Sequence, residues 1–280
     1  MAGEAHGERL RKARLGQNFL VSATAPRAIV DALGDLSEAT VLEIGPGKGA
    51  ITRLLASRAK HLVAVELDPS LASGLTNEFA DQPGSSVQVL CQNILSLDLD
   101  LFTAERPDRL IIVGNLPYYI TADILLHLFA HHAAIERAVL MVQREVADRI
   151  VASPGTRAYG VLSATTQMYA RAERLFTLPP AAFSPPPQVH STVFRLTMHP
   201  RFQELEVDPK GFLNFVRQVF AQKRKTLANN LRAAGFDAAR VRSALAECQL
   251  NPLIRAEDLS LESMARVFHA LPATALSELV

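Results

Sequence analysis

The stretch Asn115-Leu116-Pro117-Tyr118 follows an apolar run, residues 109–113, that has the composition of a buried strand. The Asn115 side-chain oxygen and the Leu116 carbonyl could each accept one hydrogen of an exocyclic amine such as adenine N6, which frees the amine lone pair. Pro117 restricts Leu116 to extended geometry, and Tyr118 offers a ring on which a base can stack. The motif therefore predicts chemistry on an aromatic amine. The alternative is a strand-ending turn whose tyrosines pack in the core.

A glycine-rich loop, LEIGPGKGA at residues 42–50, follows another apolar run and precedes a predicted helix. Glycines at such a turn let the backbone approach a ligand and direct its amides at it. Lys48 is followed by Gly49 rather than by Ser or Thr, which excludes a Walker A loop. The loop fits the G-x-G-x-x-G/A pattern of dinucleotide sites. It also fits the E-x-G-x-G-x-G pattern of S-adenosylmethionine sites, starting at Glu43.

An acidic residue, Glu66, lies near the end of the next apolar run, 61–67, where its carboxylate could accept hydrogen bonds from ribose hydroxyls. Both candidate ligands carry such a ribose, so Glu66 does not separate them, and a glycine turn without a ligand is the third interpretation. With S-adenosylmethionine, the amine would attack the sulfonium methyl in line. Positioning alone would then supply roughly 7–11 kcal/mol of the barrier.

The composition indicates a globular protein: 49% of the 280 residues are hydrophobic and 20% are charged. The net charge is only +1, so any surface for nucleic acid must come from local clustering. Cys91 and Cys248 form no CxxC pair, which fits a reducing compartment. The first residues carry no apolar signal segment, and no run reaches membrane-spanning length. We therefore expect a cytoplasmic protein without a membrane partner.

Strand and helix patterns alternate over the first half of the chain, which predicts an α/β fold with a doubly wound, mostly parallel sheet. Two later apolar runs are joined by a proline-rich segment without helix formers, which favours an antiparallel end of the sheet. From about residue 208 the pattern is helical. We expect a sheet domain over 1–200 and a small all-α domain over 201–280. The predicted strands cover 40–44, 61–67, 86–91, 109–114, 137–143, 173–178 and 189–198, and the predicted helices cover 50–59, 69–80, 121–132, 211–222, 226–235, 237–247 and 260–271.

Several blocks occur in one order along the chain and resemble the small-subunit ribosomal RNA adenine N6,N6-dimethyltransferases (KsgA-type). The blocks are LGQNFL (15–20), EIGPGKGAIT (43–52), VELDPSL (65–71), NLPYYIT (115–121), FSPPPQVHSTV (183–193), KRKTLANNL (223–231) and RAEDLS (255–260). The resemblance implies a Rossmann-like class I methyltransferase fold and S-adenosylmethionine as methyl donor. It also implies dimethylation of two adjacent adenines in the 3′-terminal hairpin of small-subunit rRNA, within a 30S assembly intermediate, by a monomeric enzyme without a metal.

The resemblance also implies roles for individual residues. Asn115 with the Leu116 carbonyl would grip the amine, and Phe183 would be a second aromatic ring enclosing the base with Tyr118. The full catalytic set is Asn115, Leu116, Pro117, Tyr118 and Phe183. The donor-binding set is Gln17, Asn18, Leu20, Glu43, Gly45, Gly47, Glu66, Leu67, Asn93, Ile94 and Asn115, of which the first three would close over the donor.

Two positions depart from the pattern of this family. Asn93 stands where an Asp is usual; its amide oxygen could still accept from the adenine amine of the donor, but without charge. We therefore expect weaker donor binding with specificity retained. His190 also stands where an Asp is common, and no role is carried over to it.

Two basic clusters could contact RNA phosphates: Arg11, Lys12 and Arg14 in the N-terminal arm, and Arg217, Lys223, Arg224 and Lys225 in the helical region. The alternative for each is a solvated basic face. His127 and His131 have the i, i+4 spacing of metal ligands, but the sequence offers no third ligand, so we expect no metal.

Other functions compatible with these motifs are an adenine methylase acting on large-subunit rRNA or DNA, a protein glutamine methylase, and a non-catalytic assembly or transcription factor that keeps the fold. The complete Asn115–Tyr118 and Gly45–Gly49 segments argue against the non-catalytic interpretation. A nicotinamide dehydrogenase would leave the Asn-Leu-Pro-Tyr motif without a role.

Overall fold

The computed structural model describes residues 18–80, 87–104 and 109–271. The predicted sites at Gln17, Arg11, Lys12 and Arg14 lie outside these residues. The described chain forms two compact units. The sheet unit comprises the residues up to Ala147 together with Glu173–Met198, and the helical unit comprises Asp148–Ala172 together with the residues from His199 onward.

The sheet unit is built on seven strands. They are β2 (Ala39–Ile44), β3 (His61–Glu66), β4 (Val87–Cys91), β5 (Arg109–Asn115), β6 (Ile135–Gln143), β7 (Ala170–Leu178) and β9 (Ser191–Met198), in the spatial order β4-β3-β2-β5-β6-β9-β7. The pairs from β4 to β6 are all parallel, whereas β9 pairs with β6 antiparallel. The expected parallel sheet with an antiparallel end is therefore confirmed.

A second, two-stranded sheet joins distant parts of the sheet unit. β1 (Phe19–Leu20) pairs antiparallel with β8 (Phe183–Ser184), so that Leu20 lies opposite Phe183. This pair had no signal in the sequence, because two-residue strands are too short to show a period.

The helices of the sheet unit are α1 (Ala25–Ala32), α2 (Thr52–Leu55), α3 (Pro69–Ala80), α4 (Leu99–Ala104) and α5 (Thr121–Ala130). The helix expected over 50–59 is a single helical turn flanked by hydrogen-bonded turns. Asp68 caps the start of α3, where its carboxylate accepts from the Ser70 amide at 2.9 Å, as expected for a residue placed before Pro69. None of the helices in the described part is long and apolar enough to cross a bilayer.

The helical unit contains α7 (Val161–Tyr169), α8 (Pro209–Val219), α9 (Leu227–Ala233), α10 (Ala238–Glu247) and α11 (Leu261–Ala270), while α6 (Arg144–Ile150) spans the division between the units. The core of the helical unit includes the rings of Phe212, Phe215 and Phe268, which contact one another. Residues 148–172 group with this unit because α7 packs on α8 and α11. The single boundary expected near residue 200 therefore misses this earlier segment.

Candidate active site

A cavity opens in the sheet unit at the carboxyl ends of β2, β3 and β5, the edge where parallel α/β sheets bind ligands. Most of the site residues expected from the sequence line it. They are Asn18, Leu20, Glu43, Gly45, Gly47, Glu66, Leu67, Asn93, Ile94, Asn115, Leu116, Pro117 and Tyr118. The structure thus brings the glycine loop and the Asn-Leu-Pro-Tyr motif to one cavity.

The glycine loop turns sharply after β2 because its backbone adopts conformations that residues with a side chain avoid. Gly47 has φ +56°, and a Cβ atom there would lie 3.1 Å from the Phe19 ring. On β5, a Cβ atom on Gly114 would lie 2.8 Å from the Ile44 carbonyl. The glycine therefore allows β5 to approach β2 closely, which places Asn115 beside the loop.

Glu66 is almost completely buried, and both its carboxylate oxygens are oriented by main-chain amides. Gly47 N–H donates to Oε2 at 3.0 Å, and Asp68 N–H donates to Oε1 at 2.9 Å. Burial raises the pKa of Glu66 above its usual value, and these amides oppose that effect. The carboxylate is thus fixed at the cavity wall with lone pairs left for further donors.

Glu43 lies on the same wall, 2% exposed, and burial raises its pKa to about 7. The nearby Thr52 hydroxyl lowers this pKa and the Glu66 carboxyl raises it. Neither Glu43 Oε2 nor Thr52 Oγ1 has a hydrogen-bond partner among the described residues. A buried acceptor without a partner is costly, which accords with the raised pKa of this carboxyl.

Asn93 begins a short 3₁₀ turn, and its Oδ1 accepts from the Leu95 amide at 3.0 Å. This bond uses one lone pair of the amide oxygen and orients the side chain at the cavity edge. The second lone pair is still available to a ligand amine. The geometry is thus compatible with the acceptor role expected for Asn93.

The side-chain amide of Asn115 is oriented by the N-terminal segment, because its Nδ2 donates to the Asn18 carbonyl at 3.1 Å. The amide oxygen is left as an acceptor. In the next residue, Leu116 N–H donates to the Met141 carbonyl at 3.0 Å, which ties the motif to β6. Within the described residues the Leu116 carbonyl accepts no hydrogen bond. The motif thus carries the two acceptors that its sequence predicts.

The remaining part of the motif is rigid. The Pro117 carbonyl accepts from the Thr121 hydroxyl at 3.0 Å, which fixes the turn that leads into α5. The half-buried Tyr118 shares a hydrogen bond of 3.0 Å with the buried Ser191 hydroxyl on β9. The phenol is therefore held at its far end while the residue lines the cavity.

Phe183 lies in the core of the sheet unit, and the stacking role expected for it stays a prediction. Its ring is 3% exposed and belongs to the core of the sheet unit, beside residues such as Ile29 and Val193. The residue pairs with Leu20 in the two-stranded sheet and does not line the cavity. The ring at this position thus packs in the core in this structure.

Other lining residues had no distinct signal in the sequence, among them Phe19, Lys48, Gln92 and Tyr119. The Lys48 ammonium lies 4.7 Å from the centroid of the Phe19 ring, a cation–π contact. Lys48 is the only cation on the cavity wall among the described residues. Tyr119, which follows Tyr118 in the chain, is 56% exposed and adds a second aromatic residue to the cavity wall. In the sequence, the signal for Lys48 was its place inside the glycine loop, directly after Gly47.

The histidine pair on α5 makes local contacts. His131 Nδ1 lies 2.8 Å from an Asp100 carboxylate oxygen, and His127 Nε2 lies 3.0 Å from the Leu97 carbonyl. Asp98, Asp100 and His131 bring possible ligand atoms within 4.8 Å of one another, but Asp98 Oδ1 already accepts from two amides of α4. These contacts join the end of α5 to the start of α4.

In the helical unit, Arg217 is an exposed residue of α8, and Lys223, Arg224 and Lys225 are exposed in the turn between α8 and α9. None of these four forms an ion pair within the part of the chain that the structure describes. Their charges are therefore available to an anionic partner.

Comparison with known proteins shows the family and agrees with the fold. A family model described as ribosomal RNA adenine dimethylase matches residues 9–272. A protein named ribosomal RNA small subunit methyltransferase A from Acidobacterium capsulatum is 56% identical over 260 residues, 93% of this chain and 91% of that protein. A protein of the same name from Koribacter versatilis is 51% identical over 282 residues, 97% of this chain and 98% of that one.

Two solved structures have the same fold. A dimethyladenosine transferase from Plasmodium falciparum superimposes with a TM-score of 0.77 at 20% identity, covering 89% of this chain and 95% of that one. The 23S rRNA methyltransferase ErmE superimposes with a TM-score of 0.70 at 24% identity, covering 91% and 99%. At these identities the likeness concerns the fold.

Proposed function

Since the chain belongs to the ribosomal RNA adenine dimethylase family, we propose that its cavity binds S-adenosylmethionine and directs methyl transfer to the N6 amines of two adjacent adenines in the 3′-terminal hairpin of small-subunit rRNA. The observation that carries this proposal is the Asn115 amide, oriented by Asn18 beside the glycine loop. We further propose that the substrate is a 30S assembly intermediate in the cytoplasm and that the enzyme acts as a monomer.

The residues that line the cavity support binding of the proposed donor. The loop at Gly45 and Gly47 brings main chain to the cavity wall without side chains, and Glu66 can accept hydrogen bonds from ribose hydroxyls. Glu43 lines the same cavity, and its carboxylate, when ionised, would complement a cationic group of the donor. Lys48, which lines the same cavity, would pair with the carboxylate of the amino-acid tail.

When bound, S-adenosylmethionine supplies an electrophilic methyl carbon on a sulfonium. The protein contributes position: Asn115 Oδ1 and the Leu116 carbonyl accept the two N6 hydrogens, which directs the nitrogen lone pair away from the purine ring. Held by these two acceptors, N6 would take the methyl group as the donor sulfur leaves with the C–S electron pair, and N6 would then lose one proton to solvent. Tyr118 supports the base by stacking, worth roughly 1–3 kcal/mol. Alignment of this kind accounts for much of the barrier reduction in bimolecular transfer.

The RNA surface belongs to the same proposal. Arg217 and the cations at 223–225 are exposed and would contact phosphates, and the N-terminal cluster at Arg11, Lys12 and Arg14 would do the same. Flipping a target base costs a few kcal/mol, and a loop in single-stranded form lowers that cost.

A labelling experiment tests the proposal. The protein is incubated with methyl-labelled S-adenosylmethionine and, in parallel, with free small-subunit rRNA, unmethylated 30S particles, 50S particles and DNA. We expect label on two adjacent adenines of the small-subunit RNA. Label on large-subunit RNA or on DNA would refute the substrate assignment, and no label with any of them would favour a non-catalytic assembly factor.

A further inference from the structure

A turn between α8 and α9 presents three consecutive cations, Lys223, Arg224 and Lys225, which we call the basic turn. All three side chains are exposed. Arg224 has φ +72°, a left-handed backbone conformation that a residue with a Cβ atom rarely adopts. Such a conformation persists only where neighbouring contacts impose it, so something must hold the turn in this shape.

Asn230 on α9 supplies one such contact. Its side chain is 2% exposed, and its Nδ2 donates to the Val219 carbonyl at 2.6 Å and to the Gln222 carbonyl at 3.3 Å. Val219 is the last residue of α8, and Gln222 directly precedes Lys223. A single buried amide thus joins the end of α8 to the start of the basic turn.

Burial of the Asn230 side chain leaves one of its polar atoms unsatisfied within the part of the chain that the structure describes. Asn230 Oδ1 is buried without a hydrogen-bond partner among the described residues, which is unfavourable by itself. The side chain is retained in a mostly apolar setting by its two donor bonds, which no aliphatic residue could make. One bond ends on the last residue of α8, and the other ends on the Gln222 carbonyl, which also accepts from the Lys225 main-chain N–H at 3.3 Å. The Asn230 amide and this main-chain bond therefore hold the start of the basic turn together.

The other end of the basic turn is held separately. The Thr226 hydroxyl accepts from the Asn229 main-chain N–H at 3.3 Å and caps α9. Leu227 N–H donates to the Ile254 carbonyl at 2.8 Å. With this end fixed by main chain, the loss of the Asn230 side chain would release only the side of the turn that begins at Gln222.

We propose that Asn230 is a positioning residue for RNA binding, which holds the basic turn so that its three cations contact phosphates together. The inference rests on the proposed function, because it needs the basic turn to bind RNA. A preorganised turn avoids the ordering cost that a loose one meets on binding. Each phosphate that a cation neutralises releases a counterion, so the number of phosphates bound together is measurable as a salt dependence.

The test compares N230A with N229A, a matched variant at the exposed neighbouring residue, whose side chain makes none of these bonds. Affinity for unmethylated 30S particles is measured across a salt series. We expect N230A to bind about tenfold more weakly at low salt, with a slope of log K against log salt reduced by roughly 0.7–0.9 for each phosphate that the variant no longer binds. N229A should match the parent protein.

The controls separate folding from positioning. Thermal unfolding followed by circular dichroism measures the folded fraction of each variant, and N230S serves as a second variant if N230A is poorly folded. An unchanged salt slope in intact N230A or N230S protein would overturn the inference, since a smaller folded fraction lowers apparent affinity without changing that slope.

A charge variant, K223Q/R224Q/K225Q, distinguishes this inference from the proposed function. If the charge variant binds 30S particles normally, the RNA role of the basic turn is wrong. If the charge variant binds weakly but N230A resembles N229A, the turn binds RNA and the positioning role of Asn230 is wrong. If the basic turn binds RNA and Asn230 positions it, adding N230A to the charge variant should cause no further loss of affinity.

Discussion

The Asn115 side-chain amide and the Asn18 main-chain carbonyl lie 3.1 Å apart, joined by a hydrogen bond between residues 97 positions apart in the chain. The bond determines which end of the amide is left for a substrate. With Nδ2 engaged by Asn18, the oxygen is the atom presented as an acceptor. The orientation of the proposed amine-binding group thus depends on the N-terminal segment.

The first prediction concerns this amide. N115A should lower the single-turnover rate of methyl transfer at least 100-fold, because it removes one of two acceptors and loses alignment. Binding of S-adenosylhomocysteine, measured by calorimetry, should change little. N115D keeps an acceptor but cannot donate to Asn18, and we expect a rate between those of N115A and the parent. Full activity in N115A would contradict the assigned role.

The second prediction uses the buried carboxyl of Glu43, whose pKa is raised from 4.5 to about 7. Between these values the folded protein binds a proton that the unfolded chain has released, so stability falls as pH rises through this window. Above this window, the ionised and buried Glu43 carboxylate lowers the free energy of unfolding by on the order of 3 kcal/mol. E43Q lacks this carboxylate and should gain stability over the parent between about pH 5 and pH 8.

Denaturant unfolding at both ends of this window measures the effect. E78Q is a control of opposite sign, because the Arg53 guanidinium holds the pKa of Glu78 below its usual value. The stabilisation from Glu78 is present above its unfolded pKa and is lost as the solution becomes acidic. An E43Q advantage that does not vary with pH would show that Glu43 is ionised throughout.

The third prediction concerns Asn93, whose oxygen already accepts from the Leu95 amide. N93D would keep this cap and add a negative charge beside the expected adenine amine of the donor. Hydrogen bonds to charged groups are stronger by about 1 kcal/mol. We therefore expect roughly fivefold tighter donor binding by calorimetry. An unchanged dissociation constant would refute the idea that the uncharged residue weakens binding.

The fourth prediction tests Lys48 with two ligands. K48Q should weaken S-adenosylhomocysteine binding a few-fold, because an exposed ion pair contributes ~0.2–1 kcal/mol. Binding of 5′-methylthioadenosine, which lacks the amino-acid tail, should be unaffected. K60Q is the control, since Lys60 pairs with Glu38 and lies off the cavity wall. Equal weakening of both ligands would exclude a specific contact with the carboxylate.

The fifth prediction separates packing from stacking at Phe183. F183A should destabilise the protein by about 3–5 kcal/mol, as expected for a ring removed from a core. F183L keeps most of the apolar volume and should retain near-normal transfer, whereas Y118A should impair transfer without a comparable loss of stability. Impaired transfer in a stable F183L protein would support the stacking role.

The cavity was largely predictable because its parts follow strands in the sequence. Asn115 and Glu66 end parallel strands, and the carboxyl ends of such strands meet at one edge of the sheet. The glycine loop at Gly47 was recognisable from the spacing of its glycines and from its place directly after a predicted strand. Local pattern and topology together were sufficient to bring these residues to one place.

Phe183 shows where sequence reasoning stops. A phenylalanine in a proline-rich segment has the same local appearance whether its ring faces a ligand or the core. Its burial follows from pairing with Leu20, a contact across more than half of the chain that no local period reports. The assignment of residues 148–172 to the helical unit is likewise decided by long-range packing.

The pairing of Leu20 with Phe183 also determines when the cavity can form during protein synthesis. Asn18 and Phe19 belong to the cavity wall, yet the strand against which their segment pairs is translated long after the glycine loop. A nascent chain that ends before Phe183 would lack this part of the wall. A nascent chain that ends before Phe183 should therefore bind the donor more weakly than the full chain does.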